Sequence, residues 1–184
     1  MTRWWVNGRE AATLHAADRG LQYGDGLFET LRIHGGRPRF ASLHWQRMQL
    51  GCERLQISGV DFAALDTQLR VAVADVDFGM AKVIVTRGVA QQRGYAPSQS
   101  AMPTVIVTVS AAIDAWPATA RLEFSSVMLG ENPLLAGLKH LNRLENVLAR
   151  AAQPPDCEEV LMCSSQGAVV CGSSSNVFAV KSGV

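Results

Sequence analysis

The sequence predicts an α+β fold, on three observations. Strand-like and helix-like stretches mix without strict alternation, which argues against a doubly wound parallel sheet. Two runs, 81–86 (Ala-Lys-Val-Ile-Val-Thr) and 104–109 (Thr-Val-Ile-Val-Thr-Val), are rich in β-branched residues and read as adjacent buried strands. Apolar residues recur at three- and four-residue spacing over 42–55 and 61–72, the period of amphipathic helices. With 184 residues, 48% of them hydrophobic, the chain has apolar material for one large or two small cores.

The elements follow in order. Trp4-Trp5-Val6 before Asn7-Gly8 predicts a strand entering a hairpin, because Asn-Gly tolerates the positive φ of a type I′ turn. Residues 27–34 form a strand closed by Gly35-Gly36. Ser42 reads as the N-cap of a helix to Leu55, with Trp45, Met48, Cys52 and Leu55 facing inward. Asp61 opens a second helix, carrying Phe62, Leu65, Leu69 and Ala72 on its inner face. Residues 87–103 form a long polar loop, and loops of that length are usually functional or mobile. Pro117 disfavours continued regular structure, so 115–120 reads as a linker between a domain at 1–114 and a second at 121–184. Strands are expected there near 121–127, 159–163, 168–170 and 177–180.

A net charge of +1 makes no electrostatic case for nucleic acid or an anionic membrane surface. Apolar runs fall far short of the ~18 residues of a membrane span, and the N-terminus shows no apolar signal region. Cys52, Cys157, Cys163 and Cys171 form no CxxC pair, which argues against zinc. The expectation is a soluble cytoplasmic protein with free thiols.

The most informative stretch is 134–150. Leu141, Leu144, Val147, Leu148 and Ala151 make an apolar stripe, and Lys139 sits where a glycine-containing approach meets that helix. A lone lysine is by default a solvated one. A catalytic amine needs this kind of anchorage, since its long stem must be held still.

Leu-Lys-His-Leu-Asn-Arg-Leu-Glu at 138–145 resembles the Schiff-base lysine segment of the fold type IV (class IV) pyridoxal-phosphate enzymes, most closely that of the aminodeoxychorismate lyases. Further matches occur in order: 18–30 (Asp-Arg-Gly-Leu-Gln-Tyr-Gly-Asp-Gly-Leu-Phe-Glu-Thr), His44-Trp-Gln-Arg47, Arg87 through Arg93-Gly-Tyr95, and 167–178 with Ser175-Asn-Val-Phe178. The resemblance implies a small α+β domain, then a larger β-barrel-like domain that continues beyond Val184, leaving apolar surface here to be covered. It also implies pyridoxal 5′-phosphate between the domains and a homodimer acting on a small-molecule substrate.

Residue by residue, the resemblance makes Lys139 the cofactor-bearing amine and proton-transferring base. Arg47 becomes the phosphate-binding arginine, and Asn176 part of the strand beside the cofactor. Tyr23, Arg93 and Tyr95 become candidate substrate-binding residues, the last two reaching a neighbouring subunit; a solvated loop is the alternative for them. At Cys171 the family places a glutamate that pairs with the cofactor's ring nitrogen, and a thiol offers no comparable charge. Cys171 is either a weakened cofactor contact or a small buried hydrophobe. Elimination tolerates a weaker electron sink better than transamination does. The expected activity is therefore conversion of 4-amino-4-deoxychorismate to 4-aminobenzoate and pyruvate, in folate biosynthesis. A branched-chain or D-amino acid aminotransferase, or a non-catalytic binding homologue, is the alternative.

Overall fold

The computed structural model describes residues 2–98, 101–112 and 118–182. It divides into two units, Met1–Ala115 with Gly137–Leu141, and Trp116–Ala136 with Asn142–Val184. Residues 115–117 of the expected linker lie outside the described residues. The sequence reading assigned everything from 121 onward to the second domain, whereas the segment around Lys139 groups with the first unit.

The first unit runs β1 (Arg3–Val6), β2 (Arg9–Glu10), α1 (Arg19–Tyr23), β3 (Gly26–His34), β4 (Arg37–Pro38), α2 (Ala41–Leu55), α3 (Phe62–Val73), β5 (Phe78–Thr86) and β6 (Thr104–Ala111). The strands form one antiparallel sheet in the order β2-β1-β6-β5-β3-β4. Asn7 and Gly8, with φ of 49° and 78°, make the turn that Asn-Gly predicts. Leu31, Ile33, Ala81, Val83, Val85 and Val107 are fully buried, and alternation along the strands puts them on one face. Trp45, Met48 and Cys52 of α2 and Leu65, Leu69 and Ala72 of α3 are buried, as their spacing predicts. Each such apolar side chain contributes about 1.5–3 kcal/mol on burial. Asp61 caps α3 by accepting from the Ala64 amide at 2.9 Å. The start of α2 differs from expectation. Phe40, in a left-handed conformation, is its N-cap residue and makes no side-chain cap bond, so Ser42 lies inside the helix.

The second unit holds β7 (Leu122–Phe124), α4 (Leu144–Ala151), β8 (Glu159–Cys163) and β9 (Val169–Gly172). Its sheet runs β7-β8-β9, parallel then antiparallel. Ala149, Cys157, Val160 and Met162 form its buried core, with Val127, Leu129 and Cys171 against it. Two expectations fail here. Residues 177–180 form no strand. On α4, the large residues Leu144, Val147 and Leu148 are exposed, while Ala149 is buried. Asn146 holds the helix from the packed side, donating to the Ser173 carbonyl at 2.9 Å. That bond and the small Ala149 choose the inner face, so the apolar stripe is not the one that packs. Among the described residues no helix is long and apolar enough to cross a membrane.

Candidate active site

Lys139 is held by its backbone. Its carbonyl accepts from the Phe28 amide at 2.9 Å, and the Leu141 amide donates to the Gly26 carbonyl at 3.0 Å. His140 thereby bridges Leu27 in antiparallel fashion, and the segment lies along the start of β3. Gly26 has no room for a side chain: a Cβ there meets the Val85 carbonyl oxygen at 2.4 Å and Leu141 Cδ1 at 2.9 Å. Lys139 Nζ sits 4.6 Å from the centre of the Phe28 ring, and Lys82 Nζ sits 4.8 Å from the same centre. Aromatic faces attract cations, so the ring steadies both amines.

Arg47 projects from α2 and is gripped by Glu29, whose side chain is 1% exposed. Nε donates to Glu29 Oε1 at 2.6 Å and Nη2 to Oε2 at 2.5 Å, and His44 Nδ1 lies 2.7 Å from Oε2. The hydrogen bonds that Arg47 donates to Glu29 raise its pKa against the opposing effect of burial. This fork fixes the plane of the guanidinium, and Nη1 makes no hydrogen bond to any described residue. An oriented, half-exposed guanidinium with a spare edge suits phosphate. A fixed amine over an aromatic ring suits an aldehyde. In these respects the residues fit pyridoxal phosphate.

Tyr23 and Tyr95 come together, their rings edge to face with centroids 5.5 Å apart. Arg93 is exposed in the same loop. Behind Tyr23 lies a cluster whose role the sequence does not reveal. Arg19 Nε and Arg87 Nε each donate to Asp25 Oδ2 at 2.8 Å, and Arg87 Nη2 donates to Oδ1 at 3.0 Å. Burial works to raise the Asp25 pKa, but hydrogen bonds from Arg87 and then Arg19 outweigh it and hold the carboxyl below its ordinary range. Arg87 also donates to the Leu55 and Gln56 carbonyls at the end of α2. The signal for this cluster was two arginines and an aspartate inside otherwise glycine-rich turns.

Cys171 and Asn176 belong to the second unit, Cys171 half-buried on β9 opposite Met162 and Asn176 exposed. Burial lowers the pKa of Arg143, while Cys171 and then Glu145 act to raise it. The strongest polar feature of this unit is Glu159, which sequence reasoning missed. Its Oε1 accepts from the amides of Val160 (2.9 Å) and Ser173 (3.1 Å) and from the Ser173 hydroxyl. Its Oε2 accepts from the Ser174 amide (3.1 Å) and hydroxyl (3.0 Å) and the Ser175 hydroxyl (2.7 Å). Burial would raise its pKa, yet the hydrogen bonds, Ser173 and Ser175 foremost, bring it down to about 2. Three consecutive serines downstream of paired glutamates were the available signal.

A groove of about 520 Å³ is lined by Gln49, Cys52, Ile57, Gly59 and Phe62 among others, and contains none of the residues expected to act. Burial pushes the Cys52 thiol up to about 11, so it is inert at neutral pH.

The amino-transferase class IV family model matches residues 26–184. An aminodeoxychorismate lyase of Vibrio harveyi is 33% identical over 184 residues, covering 97% of this chain and 67% of that protein. A D-alanine aminotransferase of Listeria innocua is 28% identical over 186 residues, covering 96% and 63%. The crystal structure of 4-amino-4-deoxychorismate lyase from Pseudomonas aeruginosa superposes with a TM-score of 0.85 at 47% identity, over 93% of this chain and 64% of that one. The chain thus spans about two thirds of the length of these relatives.

Proposed function

Because the chain belongs to the class IV aminotransferase family, we propose that it acts as a pyridoxal-phosphate-dependent lyase, converting 4-amino-4-deoxychorismate to 4-aminobenzoate and pyruvate. The observation that carries the reading is Lys139, its backbone clasped to β3 and its amine over the Phe28 ring. The 47% identity to the Pseudomonas aeruginosa lyase supports it.

In this reading Lys139 bears the cofactor and Arg47 holds its phosphate, with Nη1 the edge left for it. When bound, pyridoxal phosphate supplies an electron-withdrawing ring conjugated to the substrate amine, which acidifies the carbon carrying that amine. The Lys139 amine takes the proton from that ring carbon. The electron pair left behind completes the aromatic ring as the carbon–oxygen bond to the enolpyruvyl group breaks. Lys139 then returns the proton to the methylene carbon of the departing enolpyruvate, giving pyruvate. Aromatisation supplies much of the driving force, so Cys171 in place of a carboxylate is tolerated. Tyr23, Tyr95 and Arg93 receive the substrate, and the working form is a homodimer.

Full-length chain supplied with pyridoxal phosphate is expected to release 4-aminobenzoate and pyruvate in equal amounts, and Lys139→Ala to release neither. Cys171→Glu is expected to leave turnover within about threefold, because aromatisation and not the electron sink supplies much of the driving force. The D-alanine aminotransferase likeness favours a second reading. Ready conversion of bound cofactor to its amine form by D-alanine, with no 4-aminobenzoate produced, would establish that reading instead.

A further inference from the structure

We propose that Arg19 is the positioning residue of the 88–95 loop, holding Tyr95 against Tyr23 as one wall of the site for a carboxylate-bearing ring substrate. The proposal rests on the lyase reading for the substrate, but the loop it describes is visible without it.

Arg19 grips this loop at both ends. At the near end its backbone amide donates to the Gly88 carbonyl at 2.8 Å, and the Ala90 amide donates to the Ala17 carbonyl at 2.9 Å. Gly88, at φ 94°, permits that entry; a Cβ there would lie 1.8 Å from the Met102 carbonyl oxygen. At the far end the guanidinium donates from Nη1 to the Gly94 carbonyl at 3.0 Å and from Nη2 to the Tyr95 carbonyl at 2.7 Å. Its Nε is spent on Asp25, and its Cζ lies 4.8 Å from the centre of the Tyr23 ring.

One side chain, 4% exposed, therefore orients both tyrosines and joins them to the turn before β3. Tyr95 itself is 85% exposed and has little packing to fix it otherwise. A lysine has one point charge and no fork, and it cannot serve Asp25, Gly94 and Tyr95 together. Arg19 thus holds a long polar loop as a preformed wall, so that its ordering cost is met on folding and not on substrate binding.

The test compares Arg19→Lys, Tyr95→Ala and the double variant in the full chain with bound pyridoxal phosphate. Arg19→Lys is expected to raise KM for 4-amino-4-deoxychorismate tenfold or more while kcat stays within threefold. Amide exchange at 93–98 should accelerate in the substrate-free protein, with β3 and β5 unaffected. Tyr95→Ala, an exposed position that leaves the fold intact, should give a similar KM, and the double variant should be no worse than threefold beyond it. Unchanged exchange at 93–98, or multiplying KM effects in the double variant, overturns the proposal. If the parent chain gives no lyase turnover yet Arg19→Lys frees the loop, the lyase reading falls and the latch stands. Should Arg19→Lys fail to fold, the Tyr95→Ala arm decides: an unaltered KM overturns the wall.

Discussion

Three charged residues, Glu29 and Glu159 buried and Asp25 half-buried, each with its carboxylate fully engaged, define the chemistry at the smallest scale. Glu29 fixes the Arg47 fork, Asp25 binds two guanidiniums, and Glu159 collects its donors from Ser173–Ser175 and Val160. None was legible as withdrawn from solvent, because a charged residue in a single sequence is read as exposed by default. The candidacy of Lys139 came from its neighbours, which resemble a family signature. For Glu159 the consequence of burial is measurable. Its folded pKa of about 2 lies below the ordinary 4.5, so ionisation stabilises the fold above about pH 4.5, and that stability drains as pH falls through 2. The shift corresponds to ~3 kcal/mol at most. Thermal or denaturant unfolding followed from pH 6 to pH 2 should show this loss, and Glu159→Gln should flatten it while lowering stability at pH 6. A pH dependence unchanged by Glu159→Gln would contradict the assignment.

Among the elements, β3 is the one to which the Lys139 segment is attached. It pairs with β5 along its whole length and with Lys139 and Leu141 at its first residues. Its existence was legible at 27–34, where the stretch ends at Gly35-Gly36, and the Asn7-Gly8 turn and Asp61 cap were equally plain. The backbone clasp on Lys139 was not, because pairing between residues over a hundred positions apart leaves no local signal. Helix α4 misled for a different reason. Its large residues made the obvious stripe, while the packed face is set by Ala149 and by the Asn146 bond to Ser173. Gly26→Ala tests the clasp. A methyl forced against the Val85 carbonyl and Leu141 should cost about 1–3 kcal/mol of stability and cut the yield of Lys139 reacting with cofactor. Wild-type stability and unaltered Lys139 reactivity in that variant would show that the glycine is incidental.

For the molecule as a whole, the sequence conveyed an α+β chain and its family, while the grouping of 137–141 with the first unit is a tertiary fact that no periodicity reports. That grouping puts the amine of Lys139, the Arg47 fork and the Tyr23–Tyr95 pair on one unit, with Cys171 and Asn176 on the other. In the proposed function Lys139 bears the cofactor. Borohydride reduction of full-length chain mixed with pyridoxal phosphate, followed by peptide mass mapping, reads that directly. The expected result is one stoichiometric pyridoxyl adduct on Lys139, absent in Lys139→Ala. An unmodified Lys139, or an adduct carried equally by Lys82, would contradict it.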